Sequence, residues 1–233
     1  MAALTVKAMR AVLWLLLLLV LASLPLGAKV NWMIYAVSTS LFVVLLVFLE
    51  FEEKHADSRI IALVGVIVAL TVASRQLLHG VEFSPVFFMV ILTGYVFGFT
   101  PGFTVGALTM FVSNFFLGHG PWTPFQMFGL GFAGAFASLL PRFRRHEILL
   151  LASYSVVVAY LYGVFTDLFS WMAFIPAHTL ESFAGIVAAG MVANTTRAVG
   201  NVFFMSLVGP VLLRVLMRFR KRLSYTRVNN YHG

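Results

Sequence analysis

Cysteine is absent from the 233 residues, which removes structural disulfides, thiolate metal sites and cysteine nucleophiles in one stroke. Charge is nearly as scarce. Asp, Glu, Lys and Arg make up 10% of the chain, against about 25% in an ordinary soluble domain, and only eight of those residues are acidic. No Gly-x-x-x-x-Gly-Lys-Ser/Thr loop is present to cradle a nucleotide, so ATP hydrolysis is not expected of this chain. No nucleophile–base set is visible either. A membrane protease or transferase would show paired His, Asp or Glu within its helices, and Asp167 is the only acidic residue deep in a core apolar run. The expectation is a non-enzyme with no cofactor.

What is present in excess is apolar surface. Hydrophobic residues reach 61%, more than a water-soluble fold of this size can hide. A helix needs about 20 apolar residues to cross the roughly 30 Å hydrocarbon core. Frequent Gly, Ala and Leu without strict alternation favour helices over a membrane barrel. Eight candidate spans follow, near residues 10–27, 31–49, 59–76, 84–99, 102–117, 125–140, 148–172 and 195–217. Between them, 173–194 opens with Phe174-Ile175-Pro176-Ala177-His178 and reads as a re-entrant or loop helix. Lys7 and Arg10 before Leu15–Leu19, with Leu26-Gly27-Ala28 after, also give the first span the look of a signal peptide.

The basic residues set an orientation. With a cytoplasmic N-terminus, thirteen of them (Lys7, Arg10, Lys54, Arg59, Arg142, Arg144, Arg145, Arg214, Arg218, Arg220, Lys221, Arg222, Arg227) fall inside, and three (Lys29, Arg75, Arg197) fall at the outer side. Insertion retains Lys and Arg in short cytoplasmic loops, so both termini are expected inside. The net charge of +8 is then mainly a topology signal, with attraction to anionic membrane lipid beside it. Nucleic acid is not an expected partner, because no basic patch interleaved with aromatics sits on a soluble domain.

Polar groups collect at the other side. Arg75, Gln76, His79 and Glu82 lie in one connection. Ser113-Asn114-Phe115-Phe116-Leu117-Gly118-His119-Gly120-Pro121-Trp122-Thr123-Pro124-Phe125-Gln126-Met127 forms the next. Asp167, Trp171, His178 and Glu181 follow, and then Asn194-Thr195-Thr196-Arg197. Ionisable groups at membrane depth are costly and face a cavity or one another. The candidate ligand contacts are Arg75, His79, Asn114, His119, Trp122, Gln126, Asp167, Trp171, Asn194 and Arg197. Plainer roles stand beside these. Asp167 and Arg197 can pair as a structural ion pair, Asn114 and Asn201 can tie helices together, and Trp122 and Trp171 can be interfacial belt residues. His79, His119 and His178 lack the tight spacing of a shared metal site.

Gly65, Ala69 and Ala73 stand four apart and line one stripe of the third span, where a neighbouring backbone can approach closely. Gly129, Gly131 and Gly134 allow the same reading internally. From about Ile60 to Arg222 the chain resembles the substrate-binding S component of energy-coupling-factor (ECF) vitamin transporters. The resemblance rests on that stripe, on Phe87 to Gly98 with Gly102-Phe103-Thr104-Val105-Gly106-Ala107, on the Ser113–Met127 segment with its Gly-x-Gly-Pro-Trp-Thr-Pro core, on Tyr162-Gly163 with Asp167-Leu168, and on Arg197 to Asn201 with Gly209-Pro210.

The resemblance implies an all-α membrane protein of the prokaryotic cytoplasmic membrane. A six-helix core over 51–223 would follow two additional helices in 1–50 and precede a basic cytoplasmic tail, 224–233. It implies capture of a micronutrient outside the cell, with uptake driven by a membrane coupling protein and two cytoplasmic ATPase subunits. Gly65, Ala69 and Ala73 would be the docking face. The Pro-Trp-Thr-Pro loop is most similar to S components for cobalamin or related corrinoids, which would be cargo. Another vitamin, a queuosine precursor, or a solitary or ion-coupled transporter are the alternatives. A nickel or cobalt ion transporter is disfavoured, because Met1-Ala2-Ala3 offers no metal-binding histidine.

Overall fold

A computed structural model describes residues 31–53, 58–78, 80–142 and 146–229. The expected span at 10–27, with its signal-like reading, lies outside the described residues, as do His79, Lys54, Arg144 and Arg145. The described residues form eight helices and no strands: α1 (Trp32–Glu53), α2 (Ser58–Leu77), α3 (Val86–Phe97), α4 (Phe99–Leu117), α5 (Thr123–Ala137), α6 (Glu147–Phe174), α7 (Leu180–Leu207) and α8 (Gly209–Asn229). Among them α2, α4 and α6 are each long and apolar enough to cross a membrane. Their outward residues, such as Val66, Leu70, Leu149, Val157 and Leu161, are large, apolar and exposed, as a surface against lipid requires.

α3 is the centre. Ten of its twelve residues are buried, and it touches α2, α4, α5, α6, α7 and α8. Such crowding demands small residues where backbones meet. A methyl at Gly94 would coincide with the carbonyl of Gly134, and one at Gly102 would stand 2.6 Å from the same oxygen. Three helices, α3, α4 and α5, therefore meet backbone to backbone at Gly94, Gly102 and Gly134, gaining contacts that lipid does not supply. The chain turns from α3 into α4 through Gly98, whose φ of 102° suits only glycine without strain. α1 lies against α4 and α5. α2 buries Val64, Ile67, Val68, Thr71 and Val72 on α3 and α4, a 3-4 spacing that leaves the opposite flank outward.

The 173–194 segment differs from its sequence expectation. It is no loop helix: α7 begins at Leu180 and runs unbroken to Leu207. A capping box starts it, with Thr179 Oγ1 accepting from the Ser182 amide and Ser182 Oγ from the Thr179 amide, both at 3.2 Å. Small residues then let it lie along α6, with Gly163 against Asn194 and Gly190 against Asp167. The expected span 195–217 is accordingly divided. The chain bends by 66° between α7 and α8, at Val208-Gly209-Pro210. Pro210 has no amide hydrogen to continue the ladder and is tolerated in the first turn of a new helix.

Glycine 134 offers a direct test. Gly134→Ala is expected to destabilise by about 1–3 kcal/mol through overpacking, read as a lower thermal unfolding midpoint in detergent. Gly65→Ala, with nothing within 4 Å, is expected to leave the midpoint unchanged or raise it slightly. Equal midpoints for Gly134→Ala and the parent would refute the close-contact account.

Candidate functional site

The polar residues at the ends of α2, α4 and α5 form a connected network. Asn114, 2% exposed, is its hub. Its carbonyl accepts from Arg75 Nη1 at 2.9 Å, and its amide donates to Thr123 Oγ1 at 3.0 Å and Gln126 Oε1 at 2.8 Å. Arg75 also donates to Ser113 Oγ, and Gln76 to the Ser113 carbonyl at 3.1 Å. Thr123 Oγ1 in turn accepts from the Gly120 amide at 3.3 Å. Each partner satisfies a group that hydrocarbon would leave unpaired. The network fixes the loop 118–122, where Gly118 takes φ of 100° and the Trp122 ring folds over Gly120.

A second cluster stands opposite. Arg197 of α7, buried, donates to Asn194 Oδ1 at 2.6 Å and pairs with Glu82 at 2.6 Å. Its guanidinium lies over the rings of Tyr162 (5.1 Å) and Phe87 (5.7 Å), which contact each other edge to face. A carboxylate, an amide and two ring faces therefore compensate this charge. Glu82 sits on the connection between α2 and α3, where Phe83 also packs on Phe203 and Phe204, so the pair ties that connection to α7.

Between the clusters lies a cavity of about 440 Å³. Arg75, Asn114, Trp122, Gln126 and Arg197, five of the residues proposed from sequence, line it. So do Glu82, Phe87, Tyr162 and Thr166, none of which was among the candidate ligand contacts. The signals for them were weak: Glu82 is a lone acid in a connection, and Phe87 and Tyr162 sit in continuous apolar runs. Of the remaining proposed residues, His79 lies outside the described residues and the other four do not line the cavity. His119 is exposed and packs edge to face on Phe115, 4.5 Å between centroids. Trp171 donates from Nε1 to Ser182 Oγ at 2.8 Å and lies against His178 and Phe183, tying the α6–α7 turn. Asn194 holds Arg197 from behind, wedged on Gly163. Asp167 makes no ion pair with Arg197, whose carboxylate partner is Glu82. Its Oδ2 is buried without a hydrogen-bond partner among the described residues. Gly65, Ala69 and Ala73 are all exposed, on the outward flank of α2.

The cavity is lined by hydrogen-bonding groups and aromatic faces together, a chemistry that suits a small organic molecule. The family comparison agrees: residues 56–218 match the model for "ECF-type riboflavin transporter, S component", and the chain belongs to that family. The family is a transporter's substrate-binding component, not an enzyme family. The corrinoid specificity expected from sequence receives no support from a family whose description names riboflavin. No curated protein and no solved structure matches the chain.

Asn114→Leu, which would strand the partners of a buried amide, is expected to cost about 1–3 kcal/mol and to lower the thermal midpoint. His119→Ala is expected to leave it nearly unchanged. The reverse order of effects would mean that the loop, not the network, holds this end together.

Proposed function

We propose that this chain is the substrate-binding membrane subunit of an ATP-driven micronutrient transporter, and that its cargo is riboflavin or a closely related flavin. The observation that carries this reading is the cavity itself, inside the family-matched region. Phe87, Tyr162 and Trp122 offer faces and edges to a flat ring system, and Arg75, Asn114 and Gln126 offer donors and acceptors to carbonyls, ring nitrogens and hydroxyls. Its volume of about 440 Å³ falls within the roughly 300–1,000 Å³ of pockets for drug-sized ligands. A corrin macrocycle with its amide side chains and nucleotide loop is much larger, which favours the flavin. The Pro-Trp-Thr-Pro loop keeps the corrinoid as the second reading.

In this reading the cavity opens outward and both termini are cytoplasmic, as the distribution of Lys and Arg suggests. Residues 51–223 form the transport core, with 1–50 as an extension and 224–233 as a tail. Energy comes from a membrane coupling protein and two ATPase subunits. The coupling protein docks on Gly65, Ala69 and Ala73, whose exposure on α2 suits close approach by another helix.

Protein purified in detergent, incubated with riboflavin and freed of unbound ligand, is expected to retain the flavin spectrum stoichiometrically. Arg75→Ala is expected to weaken binding about 10- to 100-fold, the equivalent of one or two hydrogen bonds to a charged group. Retention of cobalamin in place of riboflavin would assign the corrinoid. Retention of neither would discard both cargoes and leave other vitamins to a thermal-shift screen.

For the docking face, Ala69→Leu with Ala73→Leu is expected to abolish cellular uptake while ligand binding by the purified protein stays intact. Loss of binding as well would give the stripe a folding role. Uptake by the parent chain in a host lacking any coupling module would instead establish a solitary transporter.

A further inference from the structure

At the end of the bundle away from the cavity, α8 differs from the other helices in composition and in path. It carries six basic residues, Arg214, Arg218, Arg220, Lys221, Arg222 and Arg227, and no acidic one. Its first residue, Gly209, lies against Ile148 in the first turn of α6. About one and a half to three and a half turns later, Arg214, Arg218 and Lys221 share a cleft with Glu147, the residue next to Ile148. A helix climbing beside α6 would have risen about 18 Å over those residues. This one instead keeps to the end of α6 along its length, having left α7 at a bend of 66°.

Three faces follow from the helical period. Leu213, Leu216 and Leu223 are buried on the body of the protein. Val211, Val215 and Phe219, four apart, form an exposed apolar stripe. Arg214, Arg218 and Lys221 share the face beside that stripe. A helix whose outward surface is half apolar and half basic suits the boundary between acyl chains and headgroups. Further positive charge arrives from the α5–α6 connection. Arg142 donates to the Tyr95 carbonyl at 3.2 Å and lies over the Tyr95 ring. The cleft has one lining carboxylate, Glu147, which accepts from the Tyr95 hydroxyl at 3.0 Å. Arg214, Arg218 and Lys221 thus gather on one face at an apolar border, where an anion among them would relieve their repulsion.

We propose that α8 lies in the plane of the bilayer surface as an interfacial helix, and that its Arg214, Arg218 and Lys221 face binds the phosphate headgroups of anionic phospholipids. The non-bridging oxygens of a phosphodiester match the donor geometry of guanidinium groups. The acyl chains of the same lipid meet Val211, Val215 and Phe219. The assignment does not depend on which cargo the cavity takes.

The lack of cysteine makes the test direct, because a single introduced cysteine carries a single spin label. Val211→Cys, Val215→Cys and Phe219→Cys, each labelled in the full chain in nanodiscs, are expected to report one shallow depth. A gradation approaching about 12 Å over the eight helical steps from Val211 to Phe219 would mean an upright helix and overturn the in-plane placement. Native mass spectrometry of the full chain with added phosphatidylglycerol or phosphatidylcholine tests the headgroup site. The parent is expected to retain phosphatidylglycerol preferentially, and Arg214→Gln/Arg218→Gln/Lys221→Gln to lose that preference by about tenfold or more, with its thermal midpoint unchanged. Equal retention of both lipids by the parent overturns the proposal. So does removal of the preference by millimolar inorganic phosphate, which would mark a soluble-anion site. A triple variant that keeps the preference but no longer associates with the coupling module would assign the basic face to a protein partner instead.

Discussion

The contact on which the rest of this structure depends is the meeting of three backbones at Gly94, Gly102 and Gly134. In a bilayer, apolar side chains gain little by leaving lipid for protein, so association rests on van der Waals contact and on internal hydrogen bonds. Methyl-free surfaces on α3, α4 and α5 bring the helix axes close enough for such contact. The ends of α4 and α5 are then near enough for Asn114 to reach Thr123 and Gln126, and Arg75 joins them from the end of α2. With wider spacing the same side chains would need water or other partners, and the cavity would lose its wall.

The two polar clusters solve one problem in different ways. Arg75 is held by neutral acceptors, a hydroxyl and an amide, and Arg197 by a carboxylate, an amide and aromatic faces. Neither charge is left to hydrocarbon, and both line the same cavity. The arrangement also joins distant parts of the chain. Glu82 and Arg197 are 115 residues apart in sequence, and their pairing closes the ring of elements around the cavity. The described geometry therefore combines rigidity on the α2–α4–α5 side with a single charged tie on the other.

Much of this was legible in the sequence, and the reasons are specific. The runs at 59–76, 102–117 and 148–172 are long and apolar, so α2, α4 and α6 stood out by length alone. Arg75, Asn114, Trp122, Gln126 and Arg197 stood out because polar groups interrupting apolar runs have few affordable places to go. The start of α7 was not legible. Residues 184–190 are nearly all small, so their helix is set by a cap at Thr179 and by packing on α6, which no window of hydrophobicity records. Glu82 was noted among the outer polar groups but not among the ligand contacts, since its partner Arg197 lies 115 residues along the chain. Trp171 was read as a ligand contact because an indole near a turn looks alike whether it meets a ligand or, as here, Ser182.

α2 holds two surfaces on one rigid rod. Arg75 at its end reaches into the cavity, and Gly65, Ala69 and Ala73 lie along its outward flank. In the proposed reading a ligand grips the first surface and a partner the second, so any shift of the helix is felt by both. Thermodynamic reciprocity then applies: whatever factor the docked partner takes from the affinity for cargo, the cargo takes from the affinity for the partner. An empty subunit would be the better competitor for the coupling protein wherever docking loosens the site. Release of cargo and retention of the partner would then be two readings of a single coupling free energy, transmitted along about three turns of helix.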